Sequence, residues 1–305
     1  MAYHKPVLLR ESIDGLALRQ GGVYVDLTFG GGGHSAEILK KLKGGRLVAF
    51  DQDQDSIAEA EKINDKRFLF INGNFRFFRN YLRYYEIYEV DGILADLGVS
   101  SHHFDEPERG FSFSMEGPLD MRMNKSSSTT AADVVNGYKP EQLAEVFFRY
   151  GELKNSRKLS RAIAETREKQ PIKEIQGLVR IVDSCIPERI SPRQRNKYYA
   201  KVFQALRIEI NKEVDSLREM LGETLSTLKK GGRLVVISYH SLEDRLVKNF
   251  MRAGNVEGKL ERDFYGEPKS PFRPVNRKVI VPDESQIKEN NRARSARLRI
   301  AERVF

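Results

Sequence analysis

Four consecutive glycines, Gly30-Gly-Gly-Gly33, stand between an apolar run and a helical pattern. Each glycine costs roughly 0.5–1 kcal/mol against alanine in regular structure, so four cost about 2–4 kcal/mol. That is a large share of the ~5–15 kcal/mol that holds a domain together. A bare backbone at a strand-to-helix turn offsets this cost by letting a nucleotide-like ligand approach closely. The first N–H groups of the helix can also receive a carboxylate or phosphate. Asp51 lies 19 residues beyond Gly32, where the next apolar run closes. An acid at that spacing accepts hydrogen bonds from both ribose hydroxyls. The two features together point to an adenosine cofactor, and NAD and S-adenosyl-L-methionine both fit. The dinucleotide fingerprint lacks its last glycine, because Ser35 stands there. A Walker A loop is excluded, since no Gly-Lys-Ser/Thr follows the glycines.

Asp96 closes a later apolar run and opens Asp96-Leu-Gly-Val-Ser-Ser101. Open α/β sheets bind ligands at the carboxyl ends of their strands. In methyltransferases of this architecture the loop after the fourth strand faces the transferable methyl, which favours S-adenosyl-L-methionine. His34, His102 and His103 do not make a metal site: adjacent histidines on one loop rarely aim at one ion, and no carboxylates at ligand spacing accompany them. His4 and His240 read as loop or helix-start residues. The single cysteine, Cys185, excludes an internal disulfide and any cysteine-based zinc or iron–sulfur cage.

These residues need a scaffold. Runs at 23–27, 46–50, 68–71 and 92–95 read as strands, with helices at 35–42 and 56–63 between them. Single helices between short strands make parallel βαβ units with right-handed crossovers. From about residue 102 to 195 no strand is evident. Helices are expected from Pro140 to Tyr150, from Asn155 or Ser156 towards Pro171, and through Ile175, Leu178, Val179 and Val182, which repeat at helical spacing. One long helix over 199–228 should end at Lys230-Gly-Gly232. Residues 233–238 read as a fifth strand. Ser241-Leu-Glu-Asp244 resembles a capping box opening a helix to about Met251, and 278–281 and 296–301 as two last strands. The expected fold is an α/β sheet interrupted after its fourth strand by an all-helical insertion of roughly a hundred residues. Residues 1–103 and 213–305 would form the discontinuous catalytic domain, and 104–212 the insertion.

The chain has 305 residues, 31% of them charged and 40% hydrophobic, with a net charge of +9. That balance is globular rather than disordered. No uncharged apolar run approaches the ~18–20 residues that cross a bilayer, and the first eleven residues lack a signal-peptide core. The expected location is cytoplasmic. Two basic stretches suggest a polyanion footprint: Arg189, Arg193, Arg195, Lys197 and Lys201, and Lys288, Arg292, Arg294, Arg297, Arg299 and Arg303. Tyr198 and Tyr199 inside the first add stacking options for RNA bases.

Several stretches together resemble one family. They are His4-Lys-Pro-Val-Leu-Leu9, Phe29-Gly-Gly-Gly-Gly-His34 and Asp91-Gly-Ile-Leu-Ala-Asp-Leu-Gly-Val-Ser-Ser101. Glu108-Arg-Gly-Phe-Ser-Phe113, Gly117-Pro-Leu-Asp-Met-Arg-Met123 and Phe203-Gln-Ala-Leu-Arg-Ile208 follow. Ser238-Tyr-His-Ser-Leu-Glu-Asp-Arg245 and Arg292-Ala-Arg-Ser-Ala-Arg-Leu-Arg299 complete the set. In this order, nearly end to end, the chain resembles the ribosomal RNA small-subunit methyltransferase H (MraW/RsmH) family. The resemblance implies a class I Rossmann-like α/β methyltransferase sheet with an inserted all-helical domain, and S-adenosyl-L-methionine-dependent methylation of N4 of one cytidine in the decoding region of 16S rRNA. It implies cofactor contacts at Gly32, Gly33, His34, Asp51, Phe75, Asp96 and His103. The backbone at 32–34 would hold the methionine end, Asp51 the ribose and Phe75 the adenine, with Asp96 near the adenine or the methyl. His103 stands where the family usually has Gln. Lys197-Tyr-Tyr-Ala-Lys-Val202 and Asn291 also depart from its pattern.

The cytosine amine is a poor nucleophile, and acceptors drawing its N–H groups out of plane would restore its lone pair. Asp96, Ser100 and Ser101 are the candidates on the correct loop, and Phe111, Phe113, Tyr198 and Tyr199 are candidates to stack on the base. Asp96→Ala is expected to abolish methylation while leaving the fold. The competing readings are a nicotinamide-dependent oxidoreductase and a non-catalytic ribosome-assembly factor.

Overall fold

The computed structural model describes residues 6–186, 189–276 and 278–305; the side chains of Ser101 and His102 lie outside the described residues. The chain divides into two compact units, Met1–Gly98 with Val214–Phe305, and Val99–Glu213.

The first unit opens with α1 (Leu9–Leu16), then β1 (Val23–Asp26), α2 (Gly33–Lys41), β2 (Arg46–Asp51), α3 (Asp55–Ala60), β3 (Phe68–Asn72), α4 (Phe78–Tyr84) and β4 (Val90–Asp96). The second unit is helical: α5 (Ser101–Asp105), α6 (Ala131–Gly137), α7 (Pro140–Gly151), α8 (Ser156–Lys169), α9 (Ile175–Cys185) and α10 (Pro192–Asn211). The first unit resumes with α11 (Glu213–Thr227), of which Glu213 belongs to the second, then β5 (Leu228–Ser238) and α12 (Ser241–Ala253). The hairpin strands β6 (Glu261–Arg262) and β7 (Pro268–Lys269), then β8 (Phe272–Pro274), α13 (Glu284–Glu289) and β9 (Arg297–Arg303) close the chain.

Seven strands form one sheet in the order β3-β2-β1-β4-β5-β9-β8. The first five are parallel, and β9 returns antiparallel to β5. Leu47 to Phe50 of β2 and Leu234 to Ile237 of β5 are fully buried, as expected of parallel strands covered on both faces. The chain leaves β1 towards β2 on one side and returns as β4 on the other. The strand order therefore reverses at β1, where open sheets form a ligand crevice. Asp26, Asp51 and Asp96 close the three strands that meet there.

The sheet and the helical insertion agree with the sequence reading, and four local expectations are corrected. The helix expected over 199–228 is two helices, broken at Lys212, whose φ is +51°. Asn211 explains the break, because its side chain turns to accept from Met123 N and donate to Met121 O. Lys230-Gly-Gly232 is no helix stop, since β5 already runs through it with a register irregularity against β4. The N-cap of α12 is His240 rather than Ser241. Residues 278–281 form only an isolated bridge, Ile280 to Leu298.

Candidate active site

Phe29 anchors the glycine turn, resting its ring on Phe68 and Phe70 in a small core beneath the loop. Gly32 N donates to Phe29 O at 2.8 Å, and Gly32 enters α2 at φ +77°. A Cβ on Gly32 would lie 2.7 Å from the Phe29 ring, and one on Gly33 would lie 2.1 Å from Pro6 Cγ. Packing against Phe29 and Pro6 therefore demands glycine at both positions and leaves the turn a backbone-only cradle. No side chain caps α2, so its first N–H groups face the crevice end of the sheet.

Asp51 takes Gly30 N at 2.7 Å on one oxygen and Asp53 N at 2.9 Å on the other. It ties the glycine turn to the end of β2. Asn72 donates to Asp51 O, and Asn74 donates to Gln52 Oε1 at 2.7 Å. These bonds hold the loop bearing Phe75 against the end of β2.

Asp26, missed in the sequence reading, is 1% exposed. It accepts from Ser35 Oγ at 2.7 Å and Thr28 N at 3.2 Å. Burial pushes its carboxyl up to about 6 against those two donors. An acid directly ahead of the glycine turn was the available signal. Ser35 stands where a dinucleotide fingerprint has its last glycine, and its hydroxyl is what Asp26 binds.

Asp96 is held at three points. Its N–H donates to Thr28 Oγ1 at 2.6 Å, its Oδ1 accepts from the Tyr239 hydroxyl at 2.8 Å, and its Oδ2 lies 3.9 Å from His34 Nδ1. Its side chain remains 20% exposed. Burial pushes the carboxyl up to about 7, opposed by the Tyr239 bond and aided by the charges of Asp26 and Glu243. His34 pairs its Nε2 with Val7 O at 3.2 Å, and burial drives its pKa down to about 4. The imidazole is therefore neutral, with its N–H on Nε2 and a bare lone pair on Nδ1. The crevice end of the sheet gathers three carboxylates and a neutral histidine, so a cationic ligand suits it.

In the second unit His103 is 5% exposed, its Nδ1 lies 3.2 Å from Ser100 Oγ, and its ring rests on Phe111. Phe111 and Tyr199 are buried. Phe113 packs on Tyr199 and Phe203, and Tyr198 donates to Asn155 Oδ1 at 2.8 Å. The aromatics named as stacking candidates are thus committed to packing and hydrogen bonds within this unit. The basic stretches also divide. Arg297 and Arg299 clamp Asp244 in the first unit, and Arg195 pairs with Asp183 in the second. Arg193 and Lys197 are exposed.

A seven-stranded sheet of this order, with a glycine turn after β1 and acids closing β1, β2 and β4, defines a Rossmann-like methyltransferase. The model of the MraW methylase family matches residues 1–304. The ribosomal RNA small subunit methyltransferase H of Bacteroides thetaiotaomicron is 58% identical over 99% of this chain and 98% of its own. The protein of the same name from Flavobacterium johnsoniae is 54% identical over 100% and 99%. A solved rRNA methylase from Streptococcus thermophilus has 13% identity, covers 100% of both chains and has a TM-score of 0.45. The chain belongs to the MraW methylase family, the ribosomal RNA small-subunit methyltransferases H. That family uses S-adenosyl-L-methionine. Membership removes the hydride-transfer reading.

Proposed function

We propose that this chain methylates N4 of one cytidine in the decoding region of 16S rRNA, in the cytoplasm, with S-adenosyl-L-methionine as donor. The observation that carries the reading is Asp96. It is a carboxylate at the end of β4, partly open, beside a glycine cradle and short of positive charge.

The residues fit the donor. The cradle at 32–34 leaves backbone bare for its methionine end, Asp51 closes β2 beside the glycine turn where a ribose acceptor is expected, and Phe75 lies on the neighbouring loop for the adenine. His34 presents its lone pair beside the carboxylates. The donor supplies a methyl carbon on positively charged sulfur: the amine lone pair forms the N–C bond, the C–S pair stays on sulfur, and the amine sheds one proton. Asp96 receives that proton at Oδ2. A positive charge facing Asp96 keeps it ionised, and loss of that charge restores its affinity for the proton when the amine must release it.

Ser100, Ser101 and His103 begin the second unit, which we assign to RNA recognition together with exposed Arg193 and Lys197. His103 takes the place of the family's usual Gln. No helix among the described residues is long and apolar enough to cross a membrane.

Mass spectrometry of rRNA nucleosides after incubation with labelled donor tests the reading, with naked 16S rRNA and assembled small subunits as separate arms. Label on cytidine N4 in either arm supports it. Label on another nucleoside overturns it, and no label in both arms favours the assembly-factor reading.

A further inference from the structure

The end of β5 carries a group that the proposed function does not use. Tyr239 follows β5 directly, and its ring lies over Gly98, where a Cβ would come within 3.3 Å of ring carbon Cδ2. Its N–H donates to Glu243 Oε2 at 2.9 Å, fixing the turn into α12. Its hydroxyl donates to Asp96 Oδ1 at 2.8 Å. The two oxygens of Asp96 are therefore inequivalent. Oδ1 is engaged by a donor, whereas Oδ2 faces His34 Nδ1 at 3.9 Å. His34 cannot donate there, because its one N–H is spent on Val7 O.

We propose that Tyr239 is a positioning residue for methyl transfer: its hydroxyl occupies Asp96 Oδ1, so that the proton leaving the acceptor amine is received at Oδ2. The inference rests on the proposed role of Asp96 and adds the residue that orients it. The groups facing Asp96 are His34 from α2, Asp26 from β1, Tyr239 from the end of β5 and Glu243 from α12. Of these, Tyr239 alone supplies a proton to the carboxylate. Burial and the charges of Asp96 and Glu243 hold its own phenol well above the usual range, so it stays a donor throughout the working pH.

A hydrogen bond to an ionised group favours the ionised form by an amount equivalent to roughly one to two pH units. Tyr239→Phe should move the ionisation of Asp96 upward by about one to two units. Fluorotyrosine at position 239, a stronger donor on the same ring, should move it downward. The primary readout needs no turnover: an infrared difference titration of the carboxyl stretch in ligand-free protein, with Asp96→Asn as the blank. The second is the pH profile of kcat, whose acid limb should move with the infrared midpoint while the plateau KM for the donor holds. Opposite shifts in the two variants support the proposal. An unmoved infrared midpoint in both overturns it. If the midpoints move but Asp96→Asn still turns over at the wild-type rate, the link between Tyr239 and Asp96 stands, while the assigned proton transfer fails and takes the catalytic part of this inference with it.

Discussion

Replacing Asp96 by Asn should stabilise the ligand-free protein at alkaline pH while abolishing methyl transfer. The carboxyl titrates at about 7 in the fold, against 3.8 in its absence. Below pH 3.8 both folded and unfolded chains carry the proton, and the fold keeps the full benefit of a neutral group. As pH rises towards 7 the unfolded chain sheds the proton and the folded one does not, so stability falls and the loss is complete above 7. A displacement of about three units corresponds to about 4 kcal/mol at 1.36 kcal/mol per unit. With 20% of the side chain exposed, setting half aside for screening and relaxation leaves about 2 kcal/mol. Asn preserves the shape. Its oxygen still accepts from Tyr239, the backbone bond to Thr28 is untouched, and its amide can donate towards the bare His34 Nδ1. The assay is urea unfolding of both proteins at pH 4, 5.5, 7 and 8. The advantage of Asp96→Asn should be near zero at pH 4, grow through 5.5 and level off above 7 at about 2 kcal/mol. A gain of equal size at pH 4 and pH 8 would refute the electrostatic reasoning. The same variant should bind the donor more weakly but its neutral thioether product almost as well as wild type, because only the former brings a charge for Asp96 to oppose.

Gly33→Ala puts a methyl where Pro6 Cγ lies. It should cost about 1–3 kcal/mol, and calorimetry should find donor affinity lowered at least about tenfold; unchanged affinity would remove the 32–34 backbone from the cradle. Asp244→Ala leaves Arg297 and Arg299 without their shared carboxylate and should cost about 3 kcal/mol. Since the two arginines hold Asp244 below the usual carboxylate range, the deficit in chemical melts should shrink as pH falls below the range of free aspartate. Arg193→Ala should lower the log–log salt slope of rRNA binding by about 0.7–0.9 if that side chain meets a phosphate, as filter binding over a salt series would read.

Much of this site was legible from residue order. β1 to β4 could be read because each apolar run ends on an acid or a turn residue. The glycine turn could be read because four consecutive glycines interrupt the pattern between β1 and α2. Tyr239 could not. It falls within the family-resembling stretch from Ser238 to Arg245, but that stretch assigns it no role, and its partner is 143 residues away, brought close only because β5 lies beside β4. Strand adjacency is a property of the sheet order, which no local pattern carries. The break at Lys212 was hidden for a related reason: no Gly or Pro announces it, and what bends the chain is Asn211 reaching Met121 and Met123. The basic stretches misled in part because charge alone does not distinguish an arginine facing solvent from one such as Arg299 clamped on Asp244.

Asp26 and Asp96 close neighbouring strands and both have raised pKa values, yet their surroundings give them different work. Asp26 is sealed, and both of its oxygens are taken by Ser35 and Thr28. It can brace the glycine turn but has no open face for a substrate proton. Asp96 keeps an exposed side and, among the described residues, has one side-chain donor, on Oδ1. Asp26→Ala should therefore weaken donor binding by loosening the turn, and should move the acid limb of kcat to lower pH, because it removes a negative neighbour that raises Asp96. That direction is opposite to the shift expected for Tyr239→Phe. Paired pH profiles of the two variants separate a brace from a donor, and an unmoved limb in Asp26→Ala would mean that its charge does not reach Asp96.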